Sequence, residues 1–121
     1  MKLLIVDDSL MMRKAIERAL EEKKFTLVGS APDGEEALRI FRETLPDLVT
    51  LDISMPKMDG LTCLTEMLKI KPDVKVLIVS SQTDTATVKD ALIKGASGVV
   101  GKPFSSDQML ARVNEILGRN G

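Results

Sequence analysis

Short apolar runs alternate with longer segments of helical period along the whole chain. The runs are rich in Val, Ile and Leu and are typical of strands; they cover residues 3–6, 25–30, 48–51, 74–79 and 98–101. The fourth run has the near-continuous apolar character of a strand that is buried on both faces. Between the runs, apolar residues recur at i, i+3 and i+4, which indicates amphipathic helices. The pattern therefore predicts five strand–helix repeats.

The ends and inward faces of the helices can also be predicted. The fourth helix is expected to begin at an Asp84 cap and to end at Gly95. Its apolar residues are Val88, Ala91 and Leu92. The fifth helix is expected to begin near Ser105 or Ser106 and to bury Met109, Leu110, Val113, Ile116 and Leu117.

Strand–helix repeats predict a parallel sheet, because right-handed crossovers return each helix across a face of the sheet. With five strands, the expected fold is α/β: a flavodoxin-like, doubly wound five-stranded parallel sheet of order 2-1-3-4-5, with helices on both faces. A closed eight-stranded barrel fits less well. The 121 residues suit one domain, residues 1–121, without an internal linker.

The composition argues against several classes of function. The chain is 44% hydrophobic and 29% charged, and its net charge of -1 lacks the basic excess that direct nucleic-acid binding needs. No apolar run is long enough to span a membrane and no signal peptide is apparent, so we expect a cytoplasmic protein. With no His and with Cys63 as the single Cys, the chain cannot form Ser-His-Asp or Cys-His sites, and Cys63 is expected to be unreactive.

Charged and hydroxyl side chains follow four of the predicted strands at the point where each strand ends. They are Asp7 and Asp8 after the first strand, Asp52 after the third, Ser80 at the end of the fourth and Lys102 after the fifth. In an open α/β sheet, ligands bind outside the carboxyl ends of the strands, near the switch in strand order. We therefore expect these five side chains to share one pocket.

The expected pocket has the chemistry of phosphoryl transfer. Three neighbouring carboxylates raise each other's pKa unless a cation lies among them, and oxygen ligands with open positions suit Mg²⁺. An aspartate can accept a phosphoryl group. Lys102 can pair with a phosphoryl oxygen, and the Ser80 hydroxyl can donate a hydrogen bond to it.

Each of these residues alone has a simpler interpretation. The Asp7–Asp8 pair can cap the following helix, and Asp52 can be a cap or turn residue. Lys102 can be a surface lysine beside a turn proline, and Ser80 can bond to nearby backbone. The functional interpretation depends on the complete set, because all five residues fall at the ends of neighbouring strands with complementary charges.

Four segments of the chain resemble the response regulator receiver family of two-component systems. They are residues 4–9 (LIVDDS), 52–60 (DISMPKMDG), 80–81 (SS) and 102–104 (KPF). The resemblance covers essentially the whole chain, including the spacing between motifs. It implies a switch that accepts a phosphoryl group from a histidine kinase. Residues 9–13 (SLMMR) and 95–98 (GASG) look most like free-standing chemotaxis-type regulators.

The resemblance also implies a role for each matched residue. Asp52 looks like the phosphoacceptor. Asp8, Asp52 and the backbone carbonyl of Ser54 look like the Mg²⁺ ligands, with Asp7 acting through a water molecule. Lys102 is similar to the lysine that pairs with the phosphoryl group.

Further implied features surround this set. Ser80 is similar to the hydroxyl residue that moves toward the phosphoryl oxygen, the Lys102–Pro103 bond is expected to be cis, and Gly60 fits a tight backbone turn beside the site. Ser54 and Gln82 occupy positions that tune the lifetime of the phosphate. A downstream protein is expected to bind the face of the fourth helix, fifth strand and fifth helix. Val99 stands where many members have an aromatic residue, so we expect the switch to work through Ser80 and the fourth helix instead.

Three other functions are compatible with parts of this pattern. The chain can be a receiver module cut from a larger regulator, or a small phosphatase with an aspartate nucleophile. A flavin-binding module shares the predicted fold, but the three Phe without Trp or Tyr offer few rings for a flavin to stack on. The acidic loop after the first strand also disfavours a flavin phosphate.

Overall fold

The computed structural model describes residues 1–21, 25–53, 55, 58–81 and 84–118. Its strands are β1 (Lys2–Val6), β2 (Thr26–Ala31), β3 (Leu48–Leu51), β4 (Lys75–Ser80) and β5 (Gly98–Gly101). Its helices are α1 (Leu10–Ala19), α2 (Gly34–Thr44), α3 (Gly60–Ile70), α4 (Thr85–Ile93) and α5 (Ser106–Leu117). No helix among the described residues combines the length and the apolar composition that crossing a lipid bilayer requires.

The strands form one parallel sheet of order β2-β1-β3-β4-β5, which confirms the predicted topology. Val6 pairs with Leu51, and Leu51 pairs with Ile78, so the carboxyl ends of the three inner strands lie side by side. The backbone N–H of Asp52 donates to the Val6 carbonyl at 3.0 Å and extends this pairing by one residue. The register therefore holds the residues that follow β1 and β3 next to each other.

Two apolar cores lie on opposite faces of the sheet, because successive strand residues point to opposite faces. One core holds Leu4, Val6, Val49 and Leu51 together with apolar residues of α2 and α3. The other holds Leu3, Ile5, Leu48 and Leu77 together with apolar residues of α1 and α5. Each fully buried apolar side chain of this size stabilises the fold by about 1.5–3 kcal/mol.

Every helix begins at a side chain that accepts a hydrogen bond from a backbone N–H of its first turn. The capping residues are Ser9, Asp33, Asp59, Asp84 and Ser105. Such a cap satisfies a backbone donor that has no partner within the helix and contributes about 1 kcal/mol. The predicted Asp84 cap is confirmed, and Ser105 rather than Ser106 is the cap of α5.

Of the three apolar residues expected on α4, Leu92 does not face the core. Ala91 is fully buried, but Leu92 is 47% exposed and the following Ile93 is 80% exposed. Leu92 lies about 100° further round the helix than Ala91, which turns its side chain away from the buried position. Ala91 is the buried residue of α4, and the apolar side chains of Leu92 and Ile93 face solvent.

Candidate functional site

Three carboxylates meet at the carboxyl ends of β1 and β3. Asp7 is fully buried, Asp52 is 5% exposed and Asp8 is exposed. One carboxylate oxygen from each residue lies within 4.8 Å of the other two. The arrangement brings together the three acidic residues that the sequence placed at these strand ends, and it opens to solvent on the side of Asp8.

Lys102 reaches these carboxylates from the end of β5. Its ammonium nitrogen lies 2.7 Å from Asp7 Oδ2 and 3.4 Å from Asp52 Oδ2. Burial alone would lower the pKa of Lys102, but its hydrogen bond to Asp7 and the charges of Asp52 and Asp7 outweigh burial and raise the pKa above its usual value. Lys102 is therefore charged at neutral pH and is not a free surface lysine. The bond from Lys102 to Pro103 is cis, as the resemblance implied.

The loop after β1 holds Asp7 by its backbone and by its side chain. The Asp7 N–H donates to the Ala31 carbonyl at 3.0 Å, and Asp7 Oδ1 accepts from the Ser9 N–H at 2.9 Å. Ser9, and neither aspartate, caps α1 by accepting from the Met12 N–H. The interpretation of Asp7 and Asp8 as helix caps is thus wrong, because the hydroxyl of Ser9 is the cap of α1.

Asp52 is likewise no cap, since Asp59 caps α3. The start of α3 instead packs directly beneath the backbone of Asp52. A Cβ added to Gly60 would lie 2.6 Å from the Ile53 Cα and closer still to the Asp52 carbonyl oxygen. The Gly60 N–H donates to the Ile53 carbonyl at 2.7 Å. Gly60 is therefore needed for this close approach of two backbones rather than for an unusual turn.

Ser80 is the last residue of β4 and is 1% exposed. Its carbonyl accepts from the Lys102 N–H at 2.9 Å, so the ends of β4 and β5 are joined directly beside the acidic group. This placement agrees with the expected position of Ser80. Ser54 and Gln82, which the resemblance also assigns to the site, lie outside the described residues.

The donor set fits a hard divalent cation. Asp7, Asp8 and Asp52 together carry three negative charges, and Lys102 supplies one positive charge within ion-pair distance. Carboxylate oxygens are the ligands that Mg²⁺ prefers, and a site open on one side leaves coordination positions for water or phosphate. A divalent cation among these oxygens would offset the repulsion between the three carboxylates that the single charge of Lys102 does not balance.

Sequence reasoning assigned no structural role to Arg13, although the guanidinium holds the acidic loop. Arg13 Nη1 donates to the Asp7 carbonyl at 2.6 Å. The sequence position of Arg13 indicates this contact, because a long side chain in the first turn of a helix that begins at Leu10 can fold back over the preceding loop. A long cation there ties α1 to the end of β1.

The thiol of Cys63 lies apart from this chemistry. It is fully buried in α3, where burial and the nearby Asp59 charge raise the pKa of the thiol to about 12. A thiol with this pKa stays protonated at neutral pH, which agrees with the prediction that Cys63 is unreactive.

Comparison with known proteins gives consistent results for sequence and structure. The family described as response regulator receiver domain matches residues 3–114. The chemotaxis protein CheY of Listeria monocytogenes is 42% identical over 110 residues, which are 91% of this chain and 92% of that protein. The CheY of Bacillus subtilis is 38% identical over 116 residues, 96% of this chain and 97% of that protein.

A solved structure shares the fold closely. It is a chain of the CheX–CheY–BeF3–Mg²⁺ complex from Borrelia burgdorferi, with a TM-score of 0.92 and 37% sequence identity. The alignment covers 96% of this chain and 88% of that chain.

Proposed function

Because this chain belongs to the response regulator receiver domain family of two-component signal transduction, we propose that Asp52 is the residue on which it accepts a phosphoryl group from a histidine kinase. The observation that carries the proposal is the position of the Asp52 carboxylate. It lies within 4.8 Å of carboxylate oxygens of Asp7 and Asp8 and 3.4 Å from the Lys102 ammonium. Phosphoryl transfer depends mainly on positioning and on neutralising charge, and this arrangement supplies both.

Of the three carboxylates, Asp52 is best suited to be the nucleophile. Both oxygens of the fully buried Asp7 are engaged, one by the Ser9 N–H and the other by Lys102. Asp8 is exposed on a loop, where neighbouring groups define its orientation less closely. Asp52 combines a fixed backbone, which is paired to β1 and supported by Gly60, with a longer contact to Lys102.

We propose that Asp7, Asp8, Asp52 and the backbone carbonyl of Ser54 hold Mg²⁺. When bound, the ion neutralises the charge of the carboxylates and of the phosphoryl oxygens. Among the three aspartates of this set, Asp7 and Asp52 are buried, so the protein already holds their oxygens in place.

In the proposed reaction, an Asp52 oxygen forms a bond to the phosphorus of a phosphohistidine while the phosphorus–nitrogen bond breaks and the kinase imidazole leaves. Lys102 then pairs with a phosphoryl oxygen and loosens its contact with Asp7. The Ser80 hydroxyl donates to another oxygen of the same group. These two movements pull on the ends of β4 and β5, which are joined by the Lys102–Ser80 backbone hydrogen bond.

A downstream protein is proposed to bind α4, β5 and α5. Leu92 and Ile93 leave apolar surface exposed on α4, and such a partner would cover it. The relative from Borrelia burgdorferi forms a complex with CheX, so a CheX-like protein is one such partner. Since Val99 carries no ring, the change reaches this face through Ser80 and α4.

The alternative of an aspartate-nucleophile phosphatase is disfavoured by family membership, because receiver domains are generally switches rather than catalysts. We propose that the only phosphoryl chemistry of the chain is its own modification and its reversal. A phosphatase would release inorganic phosphate repeatedly from a phosphoester that the chain does not retain, which a steady-state phosphate assay detects.

The proposal is tested by intact mass spectrometry after incubation with acetyl phosphate, with and without Mg²⁺. We expect wild type to gain one phosphoryl group only with Mg²⁺, and Asp52→Asn to gain none. Asp73→Asn removes an exposed carboxylate beyond the opposite end of β4 and is the matched control, which should label as wild type does. Undiminished labelling of Asp52→Asn would remove Asp52 as the acceptor.

A further inference from the structure

Three buried polar atoms have no hydrogen-bond partner among the described residues. They are Arg13 Nε, Thr50 Oγ1 and Asn114 Oδ1. Arg13 belongs to α1 and Asn114 to α5, the two helices whose apolar residues pack on one face of the sheet. Buried polar atoms nearly always have a partner, so each exception requires an explanation.

Thr50 lies on this same face, at the centre of the sheet. It is fully buried on β3 and is paired with Ile5 of β1 and Leu77 of β4, both of which belong to the core under α1 and α5. Because strand residues two apart share a face, Thr50 stands beneath Asp52 just as Ile5 stands beneath Asp7. The hydroxyl therefore lies in an apolar layer directly below the acidic group.

Packing alone does not account for a threonine here. Valine has nearly the same shape and equal or better preference for a central strand, and it would bury no hydroxyl. An unsatisfied buried hydroxyl costs free energy that valine avoids. Its strand partners at this level are the apolar residues Ile5 and Leu77. A hydroxyl in this position is explained if its partner is in the charged layer above.

The spacing fits one intervening water molecule. The Cα atoms of residues two apart on a strand are separated by about 6.6 Å, which is too long for one direct hydrogen bond between their layers. Two hydrogen bonds through one water join polar atoms about 5–6 Å apart. Enclosed waters typically bind otherwise unsatisfied buried groups and need two to four polar partners. The carboxylates of Asp7 and Asp52 and the ammonium of Lys102 lie above, and Thr50 supplies the partner from below.

We propose that Thr50 is a positioning residue of the phosphorylation site, whose hydroxyl holds the Asp7–Lys102–Asp52 group in place through an enclosed water molecule. The inference rests on the proposed function for its consequence in phosphoryl transfer. Because the water-mediated contact holds the carboxylates in place, we also expect Thr50 to strengthen Mg²⁺ binding. Groups that orient metal ligands from outside the coordination shell typically contribute about 10–100-fold to metal affinity or activity.

Two substitutions separate the hydroxyl from packing. Thr50→Val keeps the shape and removes the hydroxyl, whereas Thr50→Ser keeps the hydroxyl and removes a buried methyl group. We expect Thr50→Val to weaken Mg²⁺ binding, measured by isothermal titration calorimetry, and to slow labelling by acetyl phosphate, each by about 10-fold. Thr50→Ser should stay close to wild type in both, although it is the variant that loses packing and unfolds at lower urea concentration.

The reverse order would overturn the inference: Thr50→Val equal to wild type in Mg²⁺ affinity and labelling, with Thr50→Ser impaired, would make Thr50 a packing residue. A high-resolution crystal structure is an independent test. An ordered water bound to Thr50 Oγ1 and to the charged group supports the inference, and a hydroxyl without such a water overturns it. If wild type itself is not labelled, the proposed function fails, whereas the Mg²⁺ affinities of the two variants still decide the role of Thr50.

Discussion

The ammonium nitrogen of Lys102 lies 2.7 Å from Asp7 Oδ2, closer than to Asp52 Oδ2 at 3.4 Å. The closer ion pair of Lys102 is thus formed with the fully buried carboxylate and not with the proposed acceptor. Asp7 has its other oxygen engaged by the Ser9 N–H and its carbonyl engaged by Arg13. Lys102 and the loop after β1 together hold Asp7 in place, while Asp52 has the longer of the two contacts with Lys102.

Replacing Lys102 with Met should lower the free energy of unfolding by about 1–3 kcal/mol without Mg²⁺. Removing one member of a buried pair typically costs 3–5 kcal/mol, and the value is lower here because Lys102 is 17% exposed. At the same saturating Mg²⁺ concentration the difference from wild type should shrink, because carboxylates without the nearby ammonium bind the cation more tightly and each tenfold gain in affinity adds about 1.4 kcal/mol. Urea unfolding measures both effects.

Lys89→Met is the control for the Lys102 variant, since Lys89 is exposed on α4. It should change stability little with or without Mg²⁺. A Lys102→Met variant that is destabilised equally with and without Mg²⁺ would show that the ammonium does not balance the charge of a cation-binding carboxylate group.

Replacing Asp8 with Asn should remove most of the Mg²⁺-dependent rise in Tm while leaving the metal-free Tm unchanged or slightly higher. Asp8 is exposed and close to two other carboxylates, so losing its charge relieves repulsion when no cation is present. The loss of one oxygen ligand then weakens Mg²⁺ binding. Thermal unfolding followed by circular dichroism over a Mg²⁺ series measures this, with Asp73→Asn as the control. An Mg²⁺ response equal to that of wild type would exclude Asp8 as a ligand.

The fold could be predicted from sequence because the apolar pattern is strong and consistent. The predicted bounds of β3 and β5 are those observed, and the observed β2 and β4 begin and end one residue later than predicted. The exposure of Leu92 could not be predicted in this way. Periodicity identifies the apolar residues of a helix, but which of them are covered depends on how the helix lies on the sheet, and in α4 the buried residue is Ala91.

The residues that form the site could be predicted because the carboxyl ends of the strands in a parallel sheet lie at the same edge. Its internal contacts could not be, since they depend on side-chain geometry that spacing does not encode. Nothing in the order of residues says that Lys102 lies closer to Asp7 than to Asp52, or that Ser9 and not Asp7 caps α1. The orphaned hydroxyl of Thr50 was equally hidden, because threonine is an ordinary strand residue.

Replacing Gly60 with Ala should destabilise the fold by about 1–3 kcal/mol and slow the labelling of Asp52. The added methyl meets the backbone of Asp52 and Ile53, which cannot move aside as a flexible side chain does. Gly98→Ala is the control, because its methyl would meet the Ile116 Cγ2 atom at 3.1 Å and that side chain can shift. Urea unfolding and intact mass after acetyl phosphate treatment measure the two effects. Normal labelling in a destabilised Gly60→Ala would mean that the position of Asp52 does not depend on α3.

Stability in acid should depend on Asp47, far from the proposed site. The Lys2 backbone N–H donates to Asp47 Oδ2 at 2.8 Å, and the Lys71 ammonium lies 3.1 Å from Oδ1. The hydrogen bond from Lys2, assisted by Lys71, holds the pKa of Asp47 below its usual value of 3.8 despite the opposing effect of burial. A lowered pKa in the folded state means that Asp47 stabilises the protein above about pH 4 and that this stabilisation is lost as the pH falls through the folded-state pKa.

Asp47→Asn should therefore be less stable than wild type at pH 7, and the difference should shrink as the pH falls toward 3. The difference at pH 7 is expected to be at most about 1 kcal/mol, because the Asp47 side chain is 39% exposed and solvent weakens its ion pair. Urea unfolding of both proteins at several pH values between 7 and 3 measures it, and Asp73→Asn provides an exposed aspartate for comparison. A difference that stays constant or grows in acid would mean that the neutral amide, and not the loss of the carboxylate charge, is responsible.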